Sequence, residues 1–214
     1  LPKDFLTYSP SGMRSALGLY RNPTHRTSSG VLSNLRQRTE TDLVLAYPAA
    51  TVDKTGAKAV NVSGGSLPRS VDVVPAHWHD TKDYQLSSNQ AERAVIIYNK
   101  KTGETIENLP FLHIERVRDR CDTVGGGLRK AIRLCKSLKA DSDRDIQLSS
   151  YDIAAIMYHA DMSALRAGQY SDLAVLAETQ RHLDALYRDP GAASLLRVPD
   201  GSRVIFDAPE KRDW

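Results

Sequence analysis

The sequence predicts an α+β fold, a β-rich stretch followed by a helical one. Before Pro110 the apolar residues fall in short β-branched runs separated by turn residues. After it they recur at helical spacing. The 214 residues are 41% hydrophobic and 26% charged, enough to bury a core and too apolar for a disordered chain. The apolar run at residues 153–158 falls short of the roughly 18 residues of a membrane span, so no membrane partner is expected. With 29 basic and 26 acidic residues the net charge is +3, which permits an anionic ligand without demanding a nucleic-acid surface.

Residues 1–29 are rich in Ser, Pro, Gly, Thr and Arg and read as loop, with one helical turn around residues 13–19. The chain starts at Leu1 with no basic-then-apolar leader, and Leu1-Pro2-Lys3-Asp4 reads like the interior of a longer protein. Residues 31–47 place Leu32, Leu35, Leu43 and Ala46 near helical spacing, and Pro48 stops the helix. Residues 50–54 and 58–63 are β-type runs joined by Thr55-Gly56. Residues 71–74 form a short strand ended by Pro75, and residues 93–98 another, with a turn at residues 101–104. Beyond Pro110, helices are expected over residues 111–121 and 128–139, the second with Leu128, Ala131, Ile132, Cys135 and Leu138 on one side. Gly125-Gly126-Gly127 separates them. Ser149 opens the next helix with a capping box completed by Asp152, and residues 171–187 form the last, ended by Asp189-Pro190-Gly191. Cys121 and Cys135 read as free thiols in a reducing cytoplasm.

Three features can carry chemistry. Asp72 sits among valines in a strand. It is either an exposed residue on an edge strand or a metal ligand or general base on a rigid strand end. Arg129, Arg133 and Lys136 follow i, i+4, i+7 spacing and share one helix face, which is either solvated or phosphate-binding. Ser149-Ser150-Tyr151 stands at a helix N-terminus, where free N–H groups and the helix dipole favour an anion, while Ser149 itself serves as the cap. His77-Trp78-His79-Asp80 resembles a metal ligand set but has no third ligand at a recognisable spacing. A Walker loop and a Gly-x-Ser-x-Gly elbow are both missing.

Taken in order, these residues resemble the polymerase-β-type nucleotidyltransferases, in the branch of the 2′–5′-oligoadenylate synthetases, cGAS and the bacterial CD-NTases. Val71-Asp72-Val73-Val74-Pro75 is similar to the strand bearing the family's third catalytic carboxylate. Arg133-Leu134-Cys135-Lys136 resembles the helix whose lysine holds the donor triphosphate. Ser149-Ser150-Tyr151 resembles the Ser-Tyr pair in which the serine touches phosphate and the tyrosine stacks on the base. The resemblance implies a mixed β-sheet flanked by helices and packed on a C-terminal helical domain. It implies a nucleotidyltransferase core over residues 1–109 and a helical nucleotide-binding domain over residues 110–214.

The resemblance further implies a metal-dependent enzyme using ATP or another NTP to make a cyclic or linear oligonucleotide second messenger in antiviral defence. The alternatives are transfer of a nucleotide to RNA or protein, as toxin-type relatives do, a non-catalytic nucleotide-binding protein of the same fold, or an unrelated α+β domain. On the family pattern Asp72 is catalytic and binds Mg²⁺ or Mn²⁺, while Lys136, Ser150, Tyr151 and Arg133 bind the nucleotide. The family also carries Gly-Ser followed by Asp-x-Asp or Glu-x-Asp. Gly65-Ser66 is followed by Asp72 too soon, and Glu40-Thr41-Asp42 falls in a helical stretch where Gly30 lacks its serine. The resemblance therefore places that signature before Leu1, and implies either that the first catalytic strands precede this stretch or that catalysis is lost. The start at Leu1 favours the first.

Overall fold

The computed structural model describes residues 5–20, 26–166 and 171–212. The reading of Leu1-Pro2-Lys3-Asp4, and residues 21–25 of the expected first loop, lie outside them. Two compact units divide the chain, Leu1–Phe111 and Leu112–Trp214.

The first unit holds β1 (Leu6–Tyr8), α1 (Met13–Ala16), α2 (Ser28–Ala46), β2 (Ala50–Asp53), β3 (Val60–Gly64), β4 (Val71–Val73), β5 (Ala76–Asp80), α3 (Lys82–Ser87), β6 (Ala94–Tyr98) and β7 (Thr105–Asn108). Its strands form two sheets. One is mixed, in the order β1-β5-β6-β7, with β1 parallel to β5 and the other pairs antiparallel. The other is the antiparallel sheet β2-β3-β4. Pro75 stands between β4 and β5. It has no N–H to give a ladder, so the chain leaves one sheet there and enters the other.

The expected helix, turns and strands over residues 31–104 are present, but β1, β5, α3 and β7 were not read from the sequence. β1 has three residues in a polar stretch. β5 carries His77, His79 and Asp80 where a β-branched run would have given the signal. Ala76 and Trp78 face inward with Val95 and Ile97. His77 is buried, with Nε2 on the Ser28 hydroxyl at 2.8 Å and Nδ1 on the Trp78 carbonyl at 2.9 Å. Asp80 accepts from Arg93 and Tyr20, both at 2.7 Å. These side chains are absorbed in packing their own unit. Arg36, buried on α2, donates to the carbonyls of Gly56 and Ala59 at 3.0 and 2.9 Å and pairs with Glu40 at 2.7 Å, fastening the β2–β3 turn to the helix.

The second unit is helical: α4 (Pro110–Asp122), which starts in the first unit, α5 (Gly127–Asp141), α6 (Ser150–Tyr158), α7 (Ser171–Arg188) and α8 (Pro190–Leu195). The apolar run from Ile153 to Met157 is wholly buried in α6, so it makes a core helix. No helix among the described residues is long and apolar enough to cross a membrane. The glycine run is a built turn: Gly125 and Gly126 have φ of 58° and 93°, and a Cβ on Gly127 would meet the Leu165 carbonyl oxygen at 1.7 Å. Leu138 departs from its expected place, being 54% exposed where the apolar seam of α5 runs out. Pro190 ends α7 as expected but also opens α8, whose first turn Asp189 caps through the Ala192 N–H at 2.9 Å.

Candidate functional site

The site in the second unit is built on the start of α6. Ser149 and Asp152 close the expected capping box: the Ser149 hydroxyl accepts from the Asp152 N–H at 3.1 Å, and the Asp152 carboxylate accepts from the Ser149 N–H at 3.0 Å. That occupies Ser149 and leaves Ser150 exposed on the first turn. Facing it, α5 presents Arg129, Ile132 and Lys136 at i, i+3, i+7, and α4 contributes His113, Val117 and Cys121. With Ser150, Tyr151 and Ala154 these line an open pocket of about 510 Å³, within the size of small-molecule sites.

Tyr151 is held twice. Its ring stacks on His113, with centroids 3.6 Å apart and planes 21° apart, and its hydroxyl donates to the Asp200 carboxylate. Burial pushes the Tyr151 hydroxyl well above its usual range and the Asp200 charge adds to this, so it stays a donor. Burial pulls His113 down to about 4, so its imidazole is neutral near pH 7. Burial works to raise Asp152, but the Ser149 hydroxyl and Arg203 outweigh it and hold the carboxyl below its ordinary value. Arg203 and Lys211 reach Asp152 at 2.6 and 3.3 Å. Asp207 shares both cations, at 3.2 and 2.7 Å, so the cluster sets two cations against two carboxylates.

Asp72 belongs to the first unit. It is exposed on β4, the edge strand of the three-stranded sheet, and accepts from the Asn61 amide at 2.9 Å. Among the described residues no three His, Cys, Asp or Glu side chains gather into a metal-sized cluster. Asp72 and Asn61 therefore do not by themselves complete a two-ion site. Both cysteines are free; Cys121 is buried, and burial pushes the Cys135 thiol up to about 11, so Cys135 is no ready nucleophile.

No protein-family model matches the chain. It is 49% identical over 192 residues to the cyclic dinucleotide synthase CdnE of Yersinia aleksiciae, an alignment covering 88% of this chain and 51% of that protein. The chain belongs to the CD-NTase branch of the nucleotidyltransferases. A STING-associated CdnE c-di-GMP synthase from Capnocytophaga granulosa superposes with a TM-score of 0.68 at 33% identity, covering 87% of this chain and 59% of that one. A STING-associated CdnE c-di-GMP synthase from Flavobacteriaceae sp. shares the fold, with a TM-score of 0.73 at 23% identity over 98% of this chain and 63% of that one. The CD-NTase chain spans about half the length of the curated relatives it matches.

Lys136, Ser150 and Tyr151 of this CD-NTase line one pocket. Arg133 is exposed and is not among the lining residues. At about 100° per residue it lies about 60° round α5 from Lys136, at the edge of the stripe, and Arg129 takes the place expected of it. His113 and Asp200 were not found from the sequence. His113 falls on an unremarkable helix, and Asp200 lies 49 residues from the tyrosine it holds.

Proposed function

We propose that this CD-NTase chain binds an NTP in the pocket of α4, α5 and α6, and that the enzyme containing it joins NTPs into a cyclic dinucleotide second messenger. One observation carries the reading: a lysine, a serine on a helix's first turn and an aromatic ring converge on a single pocket from α5 and α6. The relatives' names, cyclic dinucleotide synthase and c-di-GMP synthase, support the product class and make GTP a donor to test beside ATP.

Nucleotidyl transfer forms a bond from a ribose hydroxyl to the α-phosphorus and breaks the bond to the departing pyrophosphate. Negative charge builds on the leaving group. The Lys136 ammonium and Arg129 guanidinium offset that charge, and the α6 N-terminus at Ser150 adds N–H donors and a favourable dipole. The Tyr151 ring offers the base a π-face, which tolerates more than one base. On this proposal Asp72 supplies one carboxylate toward a divalent ion, Mg²⁺ or Mn²⁺, which polarises phosphate and activates the hydroxyl when bound. The nucleotide acceptor is a second NTP.

The test is to express the protein at its natural length, incubate it with four NTPs and Mg²⁺ or Mn²⁺, and identify products by mass spectrometry. The expected product is a cyclic dinucleotide with release of pyrophosphate. Modified RNA or protein in place of a free cyclic product would overturn the reading.

A further inference from the structure

We infer that His113 and Asp200 are positioning residues that hold the Tyr151 ring as a one-sided stacking surface for the nucleobase. The inference rests on the proposed NTP pocket. A tyrosine free to turn about two side-chain torsions would have to be ordered each time a ligand binds, and that ordering subtracts from affinity. Here the ring is ordered beforehand. One face lies on the His113 imidazole at 3.6 Å, and the hydroxyl is tied to Asp200. Asp200 is itself fixed, 8% exposed, with its other oxygen accepting from the Ser202 N–H at 2.8 Å. The Arg203 guanidinium, paired to Asp152, also lies over the Tyr151 ring, 5.8 Å from its centroid, so the residue after Tyr151 is tied to the same segment.

What His113 brings to this place is a flat ring against Tyr151. His113 is 5% exposed, lines the pocket, and its Nδ1 has no hydrogen-bond partner. An unpaired buried polar atom is costly, and an apolar ring would fill the space without that cost. Burial keeps this imidazole neutral near pH 7, so it backs the tyrosine without bringing charge beside the base.

Calorimetric titration with ATP, GTP and inorganic tripolyphosphate separates a role at the base from a role in folding. His113→Ala is expected to weaken both nucleotides by about fivefold to tenfold, part of the worth of a base stack, with tripolyphosphate binding unchanged. His113→Phe, which restores a flat ring, is expected to bind all three within about twofold of wild type. Should His113→Ala not fold, Tyr151→Phe carries the same split, because it keeps the ring and removes the tie to Asp200; nucleotides are expected to weaken by about threefold and tripolyphosphate not at all. Nucleotide affinity unchanged in His113→Ala or in Tyr151→Phe overturns the inference, as does an equal fall for nucleotide and tripolyphosphate. If the wild-type protein binds none of the three, the NTP-pocket reading itself fails and takes the inference with it.

Discussion

Asp152 and Arg203 form a 2.6 Å ion pair although 51 residues separate them in sequence. The pair fixes the chain after Asp200 to the first turn of α6, and the carboxylate is 1% exposed. Asp152 also closes the capping box and meets Lys211. Removing Asp152 takes the buried carboxylate from Arg203 and Lys211, which keep only Asp207, and opens the cap of α6. Asp152→Ala should therefore destabilise the protein by about 3 kcal/mol in urea unfolding. A loss under about 1 kcal/mol would show that the network contributes little more than a surface pair.

The helix face can be tested residue by residue. Lys136→Ala should weaken NTP binding by about tenfold or more, the loss of a charge-assisted contact, while circular dichroism stays unchanged. Arg129→Ala should weaken it more than Arg133→Ala, because Arg129 lines the pocket and Arg133 does not. The reverse order in calorimetry would move the triphosphate round the helix.

His113 makes stability depend on pH. Its imidazole titrates near 6.5 in the unfolded chain and about 4 when folded, mainly through burial. Asp200 and Asp152 oppose that shift, and Arg203 and Lys136 add to it. Between those values the unfolded state binds more protons, so stability should fall as pH drops from 6.5 to 4 and gain no further slope from this group below that. Burial also lowers His77 and His182, which slope the same way. His113→Phe should therefore have a shallower profile than wild type in denaturant midpoints. Parallel profiles would contradict the shift.

Much of the site was legible because its signals are local. The capping box at Ser149 and Asp152 and the stripe of Arg129, Arg133 and Lys136 are each set by a few nearby residues. The contacts that hold Tyr151 were not legible. His113 and Asp200 meet it through tertiary packing of α4 and the C-terminal segment, which leaves no periodicity to read. The same cause hid β5, whose strand geometry comes from pairing with β1 and β6 more than from its own His-rich sequence. The mixed sheet was expected. That β4 sits in a separate sheet follows from Pro75, which was read as a strand end.

Asp72 should matter for chemistry and little for folding. It is exposed and meets Asn61 across one strand pair, so Asp72→Ala should change stability by less than about 1 kcal/mol. In any form of the protein that turns over NTP, the same substitution should abolish product formation. Undiminished turnover would remove Asp72 from the catalytic set.

The central claim is most directly tested by a crystal structure with a non-hydrolysable NTP analogue. The expected result is a triphosphate within hydrogen-bond reach of Lys136 and Ser150, with the base on the Tyr151 ring opposite His113. A nucleotide bound with its phosphates away from Lys136 and Ser150 would contradict it.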